Sequence, residues 1–256
     1  DERAPLLNRA TQGQFPVGDL ARFIGLIGLY EAGATVPANP LATPLDDLLA
    51  PLGPTGFKGV AGQLGLTQPL PGLRSLPGRL PDFEGQETGR DLTVTPLHLA
   101  RVVAGVEREG KLPAPILSPI TPPSHAQGFR PDTARQVRAW FESFSEMNGH
   151  GLIGWAGVAS PEQTGQRWLS WFVGLAPAVS SPQPGSEITS AALTEEGLIF
   201  DPTQIEKTEP TMTPAPSNSP ARYAVVVVVV TDEPDERLAV RIARAPLRSL
   251  LGLVAN

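Results

Sequence analysis

The sequence contains no cysteine and only three histidines. Without cysteine, disulfide bonds, thiolate chemistry and zinc sites of the cysteine type are excluded. The histidines are His98, His125 and His150, and no two of them have the spacing of metal ligands. We therefore expect neither a metal ion nor another cofactor.

Long hydrophobic runs are absent too. The longest, Phe23–Tyr30 and Ala224–Val230, are less than half as long as a bilayer crossing requires, and no signal-peptide pattern opens the chain. Acidic residues outnumber basic ones, 26 to 20, which gives a net charge of −6. An acidic balance works against binding to nucleic acid or to an anionic membrane. With 256 residues, 41% of them hydrophobic, the chain is long enough to bury a full core.

Apolar residues recur at helical spacing in six segments. These are Asp19–Glu31, Leu45–Ala50, Thr55–Leu64, Pro96–Gly110, the stretch opened by Asp132, and Asp235–Leu251. The first is expected to be a core helix that ends at Gly33. Thr95 is predicted to cap the fourth helix and Asp132 the fifth. Pro246 is predicted to bend the last.

Two short apolar segments, Gly154–Ala159 and Trp168–Pro177, are separated by a stretch with proline, glycine and charge, which predicts a β-hairpin. A third strand, Tyr223–Val230, contains six consecutive valines. Because no polar residue alternates with valine, this strand is expected to be buried on both faces. Residues 177–221 are rich in Pro, Ser and Thr, which predicts a long surface insertion with only 192–200 apolar enough for a small strand pair.

Four stretches carry motifs of one known family in the correct order. They are Leu7–Gly18, Leu92–Pro115, Trp171–Pro177 and Tyr223–Val230. In that order they resemble the "NRAtqgxyPPGS" segment before the catalytic helix, the "vTPLQlA…ngG…P" segment, the "WFvGfaP" strand and the last strand of the transpeptidase domain of penicillin-binding proteins. The similarity covers nearly the whole chain except 177–221.

The resemblance implies an α+β fold, α/β sandwich-like, of the beta-lactamase/transpeptidase-like type, with an antiparallel central sheet flanked by helices. It implies a single domain over residues 1–256, with the 177–221 insertion between the last two sheet strands. The family's first two sheet strands pair beside the last strand, and residues 1–6 cannot supply them. We therefore expect the edge of Val225–Val230 to be covered by an upstream segment of the same protein or by another subunit.

The family's catalytic Ser-x-x-Lys motif falls on Asp19 and Arg22. In the family the serine is the nucleophile and the lysine, one turn away, activates it. Aspartate has no hydroxyl to acylate, and arginine keeps its proton and cannot serve as a base. Spaced i,i+3 on a helix, Asp19 and Arg22 are expected to form a local ion pair instead.

The two other motifs are also replaced. The Ser-x-Asn motif, which relays protons and holds the substrate amide, falls on Leu52 and Pro54. The Lys-Thr/Ser-Gly motif, which fixes the substrate carboxylate, falls on Trp155, Ala156 and Gly157, so only the glycine is kept. Trp155 is expected to fill part of the old cleft with an apolar ring. No replacement motif occurs elsewhere in the sequence.

Together these features predict a penicillin-binding-protein-like domain that is not an enzyme and acts as a structural or binding module in the cell envelope, in a peptidoglycan-related role. Outside the cytoplasm, it would be anchored through a segment missing from this chain and would contact cell-wall synthesis proteins or peptidoglycan. The alternative is an active D,D-transpeptidase or carboxypeptidase with atypical catalytic residues. A third hypothesis is a peptide or glycan sensor that keeps a groove without chemistry.

Overall fold

The computed structural model describes residues 8–80, 89–115, 124–145, 152–164, 167–177 and 221–250. All of these belong to one unit, which comprises residues 1–178 and 221–256. Apart from residues 177 and 221, the expected insertion and its small strand pair at 192–200 lie outside the described residues. The six expected helices and the three expected strands lie within them, except for Leu251, the expected last residue of the final helix.

The helices are α1 (Arg9–Gln12), α2 (Ala21–Glu31), α3 (Leu45–Leu49), α4 (Gly53–Gln63), α5 (Pro96–Glu107), α6 (Pro131–Glu142), α7 (Pro161–Thr164) and α8 (Leu238–Leu250). The strands are β1 (Phe15–Pro16), β2 (Thr93–Val94), β3 (Lys111–Pro113), β4 (His125–Gln127), β5 (Ile153–Ala159), β6 (Trp168–Pro177) and β7 (Ala221–Thr231). A 3-10 turn, Gly18–Leu20, precedes α2. The last helix begins three residues later than expected, and its bend at Pro246 stays a prediction.

The largest sheet is antiparallel, with strand order β5-β6-β7. The predicted hairpin is confirmed, because β5 pairs with β6 in a continuous register that runs from Ile153 opposite Leu175 to Ala159 opposite Leu169. Strand β7 pairs with the other side of β6. Two short sheets, β1-β2 and β3-β4, lie outside it. This is the antiparallel sheet with flanking helices that the resemblance implied.

Helices cover both faces of this sheet. Val226 and Val228 pack against the main hydrophobic core, which includes α2 and α5, while Val225 and Val227 pack against a second cluster that α8 forms with Phe172. Five of the six valines therefore pack against apolar partners, alternately on one face and on the other, as expected, but they are not fully buried. Val230 is 47% exposed, because β7 has a strand neighbour on one side only among the described residues.

Helix α2 is the centre of the core. Every residue from Ala21 to Leu29 is buried, so the helix is enclosed on all sides, as a hydrophobic helix must be. Two glycines allow neighbouring helices to approach it closely. A β-carbon at Gly25 would lie 2.0 Å from Cδ2 of Leu49, and one at Gly28 would lie 2.5 Å from Cγ2 of Val60. Helices α3 and α4 therefore pack directly onto the backbone of α2.

The two predicted helix caps have different outcomes. Thr95 caps α5 as expected, and its side chain accepts from His98 N. Asp132 does not cap α6, because it lies inside the first turn, where its carboxylate pairs with Arg135. The cap residue is Arg130, and its backbone N–H donates at 2.9 Å to the carboxylate of Glu31, at the end of α2. A tertiary contact thus replaces the expected local cap.

Candidate functional site

The turn that leads into α2 is wedged between β5 and a neighbouring loop. Gly18 has a φ of +53°, and a β-carbon there would lie 2.3 Å from the carbonyl oxygen of Val158. Only glycine combines this backbone conformation with such a close approach. On its other side, Gly18 N donates to Arg90 O at 3.0 Å and Val17 N donates to Leu92 O at 2.8 Å. The first turn of α2 is therefore held firmly against β5.

This arrangement brings three of the candidate positions together. Asp19 lies in the 3-10 turn and is partly buried. A β-carbon at Gly157 would lie 3.1 Å from Cβ of Asp19 and 3.4 Å from Nε1 of Trp155. Asp19, Trp155 and Gly157 thus share one small region, although Asp19 is far from the other two in sequence. Ala156 points to the opposite face, because it packs against the α8 cluster.

Arg22 does not form the expected ion pair with Asp19. Its side chain is buried, and Nη1 donates to the carbonyl oxygens of Pro40 and Thr43, the latter at 2.8 Å. None of the ion pairs between described residues joins Arg22 to Asp19. The guanidinium is instead committed to the loop after α2. That loop is itself folded locally, since Asn39 Oδ1 accepts from Leu41 N and from Ala42 N.

The charge on Arg22 is set by its surroundings. Burial lowers the pKa of Arg22 from its ordinary value, the Asp19 carboxylate opposes this shift, and the nearby Arg90 guanidinium adds to it. An arginine keeps its proton at neutral pH even after such a shift. Arg22 is therefore a buried cation that holds a loop, and it has no proton-accepting role. Sequence reasoning missed its partners, for which the Asn39-Pro40 turn signal was the available indication.

Leu52 and Pro54 are not brought to this region. The Leu52 side chain packs beside Gly28, where a β-carbon would lie 3.1 Å from Cδ1 of Leu52. Gly28 follows Asp19 by nine residues, which corresponds to about 13 Å along a helix axis. Pro54 is exposed in the first turn of α4. Neither side chain offers a polar group near Asp19.

Trp155 belongs to an aromatic cluster with one side chain from α6 and one from just after its end. Its ring centroid lies 5.3 Å from that of Trp140 and 5.2 Å from that of Phe144. These separations are typical of favourable aromatic pairs. Trp155 Nε1 is buried without a hydrogen-bond partner. An apolar stack therefore occupies the position where the resemblance puts a cation.

The buried histidine is a structural residue. His98 Nδ1 lies 2.7 Å from Thr95 Oγ1 and Nε2 lies 2.8 Å from Gln68 O. Burial lowers the pKa of His98, the hydrogen bond to Gln68 opposes this, and Arg101 adds to the lowering. His125 is exposed on β4, and His150 lies outside the described residues. Within the described part of the chain, no group of three acidic or histidine side chains could hold a metal ion.

The family model of the penicillin binding protein transpeptidase domain matches residues 48–185, which is more than half of the chain. The chain belongs to this transpeptidase family. Leu52, Pro54 and residues 155–157 lie inside the matched region of the transpeptidase domain, and Asp19 and Arg22 precede it. No curated protein matches the sequence significantly. Within the described residues, no helix has the length and apolar character needed to cross a bilayer.

Solved structures agree with this transpeptidase assignment. The chain is similar to a peptidoglycan glycosyltransferase from Burkholderia ambifaria, with a TM-score of 0.62 and 17% identity over 99% of this chain and 85% of that one. For the transpeptidase domain of Burkholderia pseudomallei penicillin-binding protein 3, the TM-score is 0.62 at 18% identity, and the match covers 97% of this chain and 82% of that one. For penicillin-binding protein A from M. tuberculosis, solved as an imipenem acyl-enzyme complex, the TM-score is 0.67 at 16% identity, and the match covers 97% of this chain and 62% of that one. At identities this low, the structural similarity shows a shared fold and no more than that. It confirms the predicted fold class.

Proposed function

We propose that this transpeptidase domain is catalytically inactive and serves as a structural or binding module of the cell envelope, outside the cytoplasm and in a peptidoglycan-related role. The observation that carries the proposal is the position of Asp19. It lies at the start of α2 and against Gly157 of β5, where the resemblance puts the serine nucleophile. A carboxylate in that position has no hydroxyl with which to form the family's acyl-enzyme.

The surroundings of Asp19 support the same conclusion. A general base must lie within hydrogen-bond reach of the proton that it removes, and the neighbouring candidate, Arg22, is a cation bonded to two backbone carbonyls. The buried serine of the sheet, Ser170, is engaged elsewhere, because its Oγ accepts from Ala239 N, in the first turn of α8, at 3.0 Å. Trp155 takes part in an aromatic stack and supplies no charge for a substrate carboxylate.

Acylation by a penicillin tests the proposal directly. The purified chain is incubated with a fluorescent penicillin and analysed by intact-mass spectrometry, with penicillin-binding protein A from M. tuberculosis as positive control, because a penicillin G acyl-enzyme complex of that protein has been solved. We expect no covalent adduct. A stoichiometric adduct would overturn the proposal in favour of an active D,D-transpeptidase or carboxypeptidase with atypical residues, and peptide mapping would then identify the nucleophile.

We further propose that a strand from polypeptide outside this sequence, in an upstream segment or another subunit, pairs with the outer edge of β7. Among the described residues, β7 has a strand neighbour on one side only, and Tyr223 and Val230 of this strand are 53% and 47% exposed. A long apolar strand with an open edge is prone to aggregation unless it is covered. Other cell-wall synthesis proteins are the class of partner expected to carry such a strand.

The edge proposal is tested by photo-crosslinking in the natural host. A photoreactive amino acid is placed at Val230, with the exposed Leu76, which lies in a loop, as the control position. Cross-links from position 230 to a segment outside residues 1–256 are expected, and they should be absent from position 76. Equal cross-linking at both positions, or no cross-link at position 230, would contradict the proposal.

A further inference from the structure

Two polar groups of opposite character, a donor on β5 and an acceptor before α2, lack hydrogen-bond partners. Trp155 Nε1 is buried and donates to no acceptor within the described part of the chain. The carboxylate of Asp19 is partly buried, and none of the described residues donates a hydrogen bond to it. Buried N–H groups without an acceptor are rare, because the loss of their hydration is then not repaid. Trp155 therefore requires an acceptor in its neighbourhood.

Gly157 of β5 adjoins both groups. A β-carbon at Gly157 would lie 3.4 Å from Trp155 Nε1 and 3.1 Å from Cβ of Asp19, so these two atoms lie within 3.4 Å of a single point. The carboxylate oxygens extend beyond Cβ, and rotation about the Cα–Cβ and Cβ–Cγ bonds of Asp19 turns them toward the indole N–H. Because glycine has no side chain, the strand leaves the space between donor and acceptor open.

Two arginines are alternative donors to the same carboxylate. The Nη1 group of Arg22 is already committed to the loop after α2. Arg90 adjoins the turn, since its carbonyl oxygen accepts from Gly18 N at 3.0 Å, and its Nε is buried without a partner among the described residues. An ionised carboxylate has about four acceptor positions on its two oxygens. Asp19 can therefore accept from Arg90 and from Trp155 at the same time.

We propose that the indole N–H of Trp155 donates a charge-assisted hydrogen bond to the carboxylate of Asp19, and that this bond closes the former catalytic cleft. It joins α2 to β5 through the residues at the positions of the family's nucleophile and of its substrate-binding cation. The inference rests on the proposed function and deepens it, because it supplies a physical reason why the cleft admits no substrate. A penicillin adduct would refute the inactivity, whereas the bond is measured on the indole proton itself, so the two failures are distinguishable.

Exchange of the indole protons in heavy water, followed by NMR on the unaltered chain labelled with nitrogen-15, tests the proposal. Trp171 is the reference with an acceptor, because its Nε1 donates to Pro16 O at 3.0 Å, and Trp140 is the reference without one, because its Nε1 is buried and unpartnered within the described residues. Single Trp→Phe variants assign the signals. We expect the Trp155 proton to exchange at least about tenfold more slowly than that of Trp140, the scale of one charge-assisted bond. Exchange no slower than that of Trp140 would overturn the proposal, as when Asp19 turns wholly to Arg90.

Two variants break the bond in different ways. Asp19→Ala removes the acceptor, whereas Gly157→Ala keeps both partners and puts a methyl group between them, at a glycine whose φ is not positive. Each is expected to speed exchange of the Trp155 proton at least about tenfold and that of Trp171 less than about twofold. Asp47→Ala, which removes an exposed carboxylate of α3, is the matched control and should change neither rate more than about twofold. Equal acceleration of both protons, or none, would contradict the bond. The comparison within the unaltered chain decides the matter even if a variant does not fold.

Discussion

Glutamine in place of Glu31 is expected to lower the free energy of unfolding by about 1–2 kcal/mol at neutral pH. One carboxylate oxygen of Glu31 accepts from Arg130 N at 2.9 Å and from Thr133 Oγ1 at 2.5 Å. Bonds to an ionised acceptor contribute about 1 kcal/mol more than bonds to a neutral one, so two of them set the scale. The ion pair with the Arg130 side chain adds little, because that side chain is 57% exposed.

The loss should depend on pH in a defined way. Burial acts to raise the pKa of Glu31, but hydrogen bonds from Thr133 and Arg130, with the charge of Arg130, outweigh it and lower the pKa below its ordinary value of 4.5. A lowered pKa in the folded state gives stability that is complete above pH 4.5 and is lost as the pH falls through the folded value. The difference between wild type and Glu31→Gln should therefore be constant near neutrality and should narrow in acid.

Urea unfolding followed by circular dichroism, from about pH 7.5 to about pH 3.5, measures this difference across the range in which the carboxylate titrates. Glu109→Gln is the matched control, since Glu109 is an exposed carboxylate of the same type; its effect should stay within about 0.5 kcal/mol. The reasoning fails if Glu31→Gln is no less stable than the control, or if the difference from wild type does not narrow in acid.

Three further changes probe other contacts. Ser170→Ala should lower the free energy of unfolding by about 0.5–2 kcal/mol, the range for a lost helix cap, and speed hydrogen exchange at the Ala239 amide; unchanged exchange would contradict the cap. Burial lowers the pKa of His98 from 6.5, so wild type should lose stability below about pH 6.5 as the unfolded state takes up a proton. His98→Gln should lack this loss, and urea midpoints that run parallel in pH would refute it. Arg22→Met should cost about 1–3 kcal/mol in urea unfolding by orphaning the Pro40 and Thr43 carbonyls; a loss smaller than about 0.5 kcal/mol would show that water replaces the guanidinium.

Local chemistry explains which parts of the fold were predictable from the sequence. Helix α5 was predicted down to its cap, because Thr95 and Pro96 adjoin the helix that they start. The predicted cap of α6, Asp132, was wrong. The cap residue is Arg130, and its N–H donates to Glu31, which lies 99 residues earlier in the chain. The exposure of Val230 was missed for a similar reason: an unbroken valine run describes a strand, but its place at the edge of the sheet depends on tertiary pairing.

The candidate site was predictable in part. The resemblance put Asp19 and Gly157 at one site, and the two residues lie close together, since a β-carbon at Gly157 would be 3.1 Å from Cβ of Asp19. It did not foresee that Leu52 lies beside Gly28, further along α2, or that Arg22 bonds to a loop rather than to Asp19. Both outcomes depend on how the proline-rich loop after α2 and helix α4 pack against α2. Motif spacing carries no information about such packing.

The Arg22 anchor also constrains how this position can change in evolution. Its guanidinium donates to two carbonyl groups of one loop, Pro40 and Thr43. Both bonds come from Nη1, at the far end of the guanidinium. The compact ammonium of a lysine, on its four-carbon stem, does not reach as far, so an arginine-to-lysine step loses loop contacts before it can gain any catalytic use. The loop would have to be rebuilt at the same time. Position 22 and residues 39–43 are therefore expected to vary together among relatives, as a single inherited unit.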